Sequence, residues 1–91
     1  MVTQSQPFLH HELARCGKGD LVEVALSGAA NVQLMDAANF ALYKAGSPYR
    51  YYGGYVTKSP YRVRIPHDGH WHITVDLGGG AGHVTASVRV T

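Results

Sequence analysis

Ninety-one residues with eight Lys and Arg, six Asp and Glu and six His give a formal charge of +2, and charged residues make up only 15% of the chain. A chain this short removes about 60 to 65% of its unfolded surface from water and has material for one modest core. Apolar residues at 45% and eleven glycines exclude disorder and coiled coil and point to short strands joined by turns.

Divided after Ala45, the chain has three basic against four acidic residues, then five basic against two. That asymmetry falls short of the clustered cations of a dedicated nucleic-acid binder. Cys16 is the single cysteine, so there is neither an internal disulfide nor a cysteine pair at metal-ligand spacing, which fits a reducing compartment. Met1 to Gln6 has no basic region leading into an apolar run, and no later stretch approaches the roughly 20 apolar residues that span a bilayer. The expectation is a soluble, cytoplasmic domain over residues 1–91, with residues 1–7 disordered.

In chain order, Phe8 to Leu13 reads as a first, peripheral strand, and Cys16-Gly17-Lys18-Gly19-Asp20 as a turn. Leu21 to Leu26 presents Val22, Val24 and Leu26 on one face, and Asn31 to Asp36 presents Val32 and Leu34. Joined through Ser27-Gly28-Ala29-Ala30, the two read as a hairpin. Asp36 is placed to cap a short helix over Ala37 to Ala45, and Gly46 suits its left-handed stop. Phe40 and Tyr43, three apart, then pack against the sheet edge; the competing reading is an irregular loop with the same two anchors.

Tyr49 to Val56 and Tyr61 to Ile65 bracket Thr57-Lys58-Ser59-Pro60 as a second hairpin, with Tyr52, Gly54, Val56, Tyr61, Val63 and Ile65 inward. In that pairing Tyr55 faces Arg62 on the outside. Pro66 to Gly69 turns the chain into Gly69 to Leu77, where Trp71, Ile73, Val75 and Leu77 alternate strictly with polar residues. Period two marks a half-buried strand, and the chain's one tryptophan on its apolar face makes it the centre of the core. Gly78 to Gly82 reverses the chain into His83 to Val90, with Val84, Ala86, Val88 and Val90 inward. This third hairpin pairs Trp71 with Val90 and Val75 with Ala86, and sets His72 opposite Arg89. Seven short strands with one helix between the third and fourth fit an all-β, antiparallel two-sheet β-sandwich, jelly-roll-like in kind. No helical crossover is long enough for a parallel α/β fold.

The motifs Asn31-Val32-x-Leu34-Met35-Asp36-x-x-Asn39-Phe40-x-x-Tyr43-x-x-Gly46, Arg50-Tyr51-Tyr52-Gly53-Gly54, Ser59-Pro60 and Gly69-His70-Trp71-His72-x-x-Val75-Asp76-Leu77-Gly78-Gly79 resemble, in this order, bacterial domain-of-unknown-function family 1883. The resemblance covers residues 8 to 90. It implies a compact all-β fold and a bacterial cytoplasmic setting, in which the domain stands alone or is fused to a TIR signalling domain. It carries no activity and no catalytic residues.

Two groups of residues are candidates for a site. Tyr51, Tyr55, Arg62 and Arg64 form an exposed aromatic and cationic patch, with Gly53-Gly54 letting a partner approach the backbone. Such a surface suits a small polar ligand or a protein, nucleic acid being the weaker option; the competing reading is that cross-strand Tyr-Arg pairs simply stabilise a sheet. His70 and His72 share one side of their strand and His67, in the preceding turn, is within reach, as in a Zn site; against this stands an ordinary polar strand face. Apart from that metal no cofactor is expected. His83 with Asp76 offers an acid-base pair without a nucleophile, Gly78 to Gly82 lacks the helix and Lys-Ser/Thr ending of a phosphate loop, and Cys16 beside Lys18 is a thiol at a turn. The reading is a non-enzymatic binding or interaction module. The alternatives are a metal-binding protein and a self-associating module that uses its free sheet edges.

Overall fold

In the computed structural model, which describes residues 8–78 and 83–91, the elements are β1 (Phe8–Cys16), β2 (Leu21–Leu26), β3 (Ala30–Asp36), α1 (Ala37–Ala45), β4 (Tyr52–Val56), β5 (Tyr61–Arg64), β6 (Gly69–Asp76) and β7 (Ala86–Val90). They form two antiparallel sheets, one in the order β1-β6-β3-β4 and one in the order β5-β2-β7. The expected all-β sandwich is therefore present, with its helix between strands 3 and 4. Residues 1–7, expected to be disordered, lie outside the described residues.

None of the three expected hairpins forms. β2 lies in the three-stranded sheet and β3 in the four-stranded one, and the same division separates β4 from β5 and β6 from β7. Trp71 stands opposite Ala14 and Asp36, not Val90; His72 stands opposite Glu12 and Met35, not Arg89; Tyr55 stands opposite Asn31 while Arg62 stands opposite Glu23. Alternation states which face of a strand is apolar, but two apolar faces are satisfied equally by lying side by side and by facing each other across a core. A connection of three or four residues, at about 3.3 Å each, spans the ~10 Å between packed sheets. The crossings are also tied down: Ser59 Oγ accepts from the Leu26 amide at 2.9 Å, and Ser27 Oγ from the Thr85 amide at 2.8 Å.

The facing of side chains agrees with the alternation. Trp71, Ile73 and Val75 of β6 meet Val32 and Leu34 of β3, Val22 and Val24 of β2, Val56 and Ile65 in one buried cluster. Tyr55, Arg62 and Arg64 point outward. In β1 the alternation breaks. The register against β6 shifts between Glu12 and Ala14, and Ala14 sits at φ 58; this bulge turns both Leu13 and Cys16 toward the core. The strand consequently runs three residues beyond the Leu13 that periodicity suggests.

The helix has the expected ends. Asp36 accepts from the Asn39 amide at 2.9 Å, and Gly46 takes φ 77 with its N–H returning to the last turn. Through Phe40 on His10 and Tyr43 on Phe8 it meets the edge strand β1, as expected, but it extends beyond that strand. It lies on the outer face of the four-stranded sheet, over the inner strands β3 and β6. Gln33, His72 and Thr74 are buried beneath it, so β6 is covered on both faces rather than one.

Gly53 also has a role other than the expected one. It takes φ 127, and a Cβ there would run into the Val32 carbonyl oxygen of β3. The backbone that approaches it is its own neighbour strand, not a partner. Gly53→Ala is expected to destabilise the domain by about 2 kcal/mol or more, from the left-handed strain and the clash together, which thermal unfolding of the variant beside the parent measures.

Candidate functional site

β6 presents His70 and His72 on the outer face of the four-stranded sheet, their rings 5.2 Å apart. Antiparallel pairing brings β1 alongside and adds two groups that the sequence did not single out. His70 Nε2 meets Glu12 Oε2 at 2.6 Å, and His72 Nδ1 lies 2.8 Å from His10 Nε2. In that second contact one imidazole donates and the other accepts, so at least one of the two rings is neutral. Phe40 of α1 stacks on both, 4.1 Å from His10 and 4.4 Å from His72, and Lys44 Nζ stands 4.7 Å from the Phe40 ring centre.

His67 is not part of this group. Its ring lies 4.9 Å from that of Trp71, and its carbonyl accepts the Trp71 indole N–H at 3.0 Å. Among the described residues no group of three or more His, Cys, Asp or Glu side chains is arranged to hold a metal ion.

The four aromatic and cationic candidates are divided between the sheets. Tyr51, just before β4, leans on Tyr49 at 5.5 Å, and Tyr49 hydrogen-bonds Gln33 under the helix. Arg64 donates to the Gly19 carbonyl at 2.9 Å, and Arg62 to Glu23 at 2.8 Å. Glu23, on the middle strand of its sheet, receives Arg89 from the other side at 2.6 Å; these hydrogen bonds hold its carboxyl below the usual range. Tyr55 and Arg62 do come together. With Val56, Thr57, Lys58, Pro60 and Tyr61 they line a shallow depression of about 350 Å³ at the β4–β5 crossing. Tyr55 is 69% exposed there.

The remaining candidates are engaged structurally. Asp76 accepts from Asn31 Nδ2, Tyr43 Oη and the Gly78 amide, and burial with that carboxylate pushes the Tyr43 phenol far up. No hydrogen bond joins Asp76 to His83 among the described residues, and the loop residues 79–82 lie outside them. Cys16 is buried, and burial together with Asp20 raises its thiol above the ordinary value, the opposite of activation. What the sequence reading missed is a second depression where Asp36, Asn39, Arg50 and Tyr52 converge with His67 and Trp71. Three separate segments build it, so no local pattern announces it.

The pattern of a family described as "Domain of unknown function (DUF1883)" matches residues 6–91. No curated protein and no solved structure matches the chain.

Burial lowers the pKa of both His10 and His72. At His72 the His10 and His70 rings and Lys44 act in the same direction, at His10 Lys44 and His11 do so, and Glu12 opposes them at both. A histidine with a lowered folded pKa holds fewer protons folded than unfolded. Its contribution is complete above the unfolded value of 6.5 and is lost as the pH falls through the folded value. Tm should therefore drop as the pH is taken from 7 to 5, and His72→Gln should flatten that slope in a pH series of thermal melts.

Proposed function

We propose, for a chain that belongs to the DUF1883 family, that it is a non-enzymatic β-sandwich binding module that engages a small polar ligand or a protein partner through its Tyr/Arg-bearing surface. The observation that carries this reading is Tyr55, 69% exposed on an edge strand and beside Lys58 and Arg62 in one depression. A ring of that size left in water brings hydrophobic contact area at little entropic cost when a partner covers it, and flanking cations favour a partner with acidic or polar groups. Of the four residues read from the sequence, Tyr55 and Arg62 form the centre. Tyr51 and Arg64 lie toward the helix side and the β1–β2 turn respectively, where each already has a contact.

The bacterial, cytoplasmic setting that the family resemblance implies goes with this reading, as does a lone thiol kept in the core. No helix among the described residues is long and apolar enough to cross a membrane.

The test is a thermal-shift screen of the untagged chain against nucleotides and acidic peptides, since a ligand of the native state alone raises Tm by mass action. Tyr55→Ala and Lys58→Ala, both at exposed positions, should leave the unliganded Tm within about 2 to 4 °C, the effect of a surface substitution in a domain of this size. Each should abolish the shift from whichever compound binds. A shift that survives both substitutions places binding elsewhere, and a silent screen with a concentration-dependent dimer replaces this reading by self-association.

A further inference from the structure

The second depression, about 230 Å³ in volume, is built from the end of β3 with the start of α1, the segment leading into β4, and the turn leading into β6. Asn39 ties these pieces together. Its backbone N–H and its side-chain Nδ2 both donate to Asp36 Oδ1 at 2.9 Å, and its Oδ1 accepts the Arg50 amide at 2.8 Å. The helix cap thus fixes the position of Arg50, eleven residues further along the chain.

Several polar atoms are left over. Asp36 Oδ2 and the Arg50 guanidinium have no hydrogen-bond partner among the described residues, and His67 uses Nδ1 toward the Asp68 carbonyl at 3.1 Å while Nε2 has none. Two acceptors, Asp36 Oδ2 and His67 Nε2, and one donor, the Arg50 guanidinium, therefore face one concavity. Its apolar wall is Tyr52, 50% exposed, with the edge of buried Trp71 behind it at a ring separation of 6.2 Å.

We infer that this depression binds a single sugar ring through vicinal hydroxyls. A hydroxyl donates and accepts at once, so neighbouring hydroxyls can donate to Asp36 and to His67 Nε2 while accepting from Arg50, and the C–H face of the ring rests on Tyr52. The volume lies below the roughly 300 to 1,000 Å³ of pockets for drug-sized ligands, which suits one ring and not a nucleotide. An anion meets Asp36, whose carboxyl the Asn39 amide holds ionised below its usual range. A metal cation meets Arg50. The site is separate from the Tyr55 depression and does not rest on that reading.

The experiment is an amide-nitrogen NMR titration of the full chain with glucose, galactose, mannose and ribose in turn. Expected is a saturable movement of the Asn39 side-chain amide, the Arg50 amide and the Trp71 indole N–H with at least one sugar. Arg50→Ala removes an exposed guanidinium, and Asp36→Asn keeps a good helix cap while removing the charge. Each should weaken binding about tenfold or more, the loss of one hydrogen bond to a charged group, with no loss of dispersion in the spectrum. Tyr55→Ala should leave the affinity unchanged. The inference is overturned by no saturable shift with any sugar, by equal movement with free amino acids or inorganic phosphate, or by a response that Tyr55→Ala removes and Arg50→Ala does not.

Discussion

The structure depends on β6 being covered on both faces. Its inner face sets Trp71, Ile73 and Val75 into the core between the sheets, and its outer face sets His72 and Thr74 under α1. A nine-residue helix has little stability of its own in water. Its persistence here comes from the cap at Asp36, the stop at Gly46 and the docking of Phe40 onto the sheet. The dependence is mutual. Without the helix, β6 and β3 would show water a strip of half-polar sheet; without the sheet, the helix would have nothing to bury.

That second layer is polar where the first is apolar. Gln33 Oε1 accepts from both Thr74 Oγ1, at 3.2 Å, and Tyr49 Oη, at 3.1 Å, while Asp76 takes Tyr43 and Asn31. Among the described residues no buried side-chain nitrogen or oxygen is left without a partner, as a low-dielectric site demands. The two histidines fit the same rule by sharing one hydrogen bond, one ring donating and the other accepting. The chemistry-bearing residues on this side thus largely serve the fold. The groups with unused hydrogen-bonding capacity collect where the helix cap meets the lead-in to β4, and the exposed aromatic surface collects at the β4–β5 crossing.

The residues differ in how legible they were. The apolar face of β2, β3, β6 and β7, the helix with both its ends, and the outward facing of Tyr55, Arg62 and Arg64 follow from period two, from a capping Asp and from a left-handed Gly, which are local properties. Strand neighbours did not follow. The choice between folding back in one sheet and crossing to the other depends on how all seven faces close around one volume. The bulge at Ala14, which brings both Leu13 and Cys16 inward, was hidden for a related reason: a register shift appears only against a partner strand. Gly53 was legible as a place of close approach, but what approaches is the Val32 carbonyl.

By itself, then, the sequence determined the class of fold, the faces of the strands, the position and caps of the helix, and a central strand around Trp71, because each rests on interactions within a few residues. Only the tertiary structure decided that His72 meets His10 rather than His67, that Tyr55 and Arg62 share a depression while Tyr51 and Arg64 do not, and that Asp36, Asn39 and Arg50 converge. Those are long-range pairings. They are set by which sheets the strands join and by the helix lying over one of them, and a period read along the chain carries no information about what stands across from it.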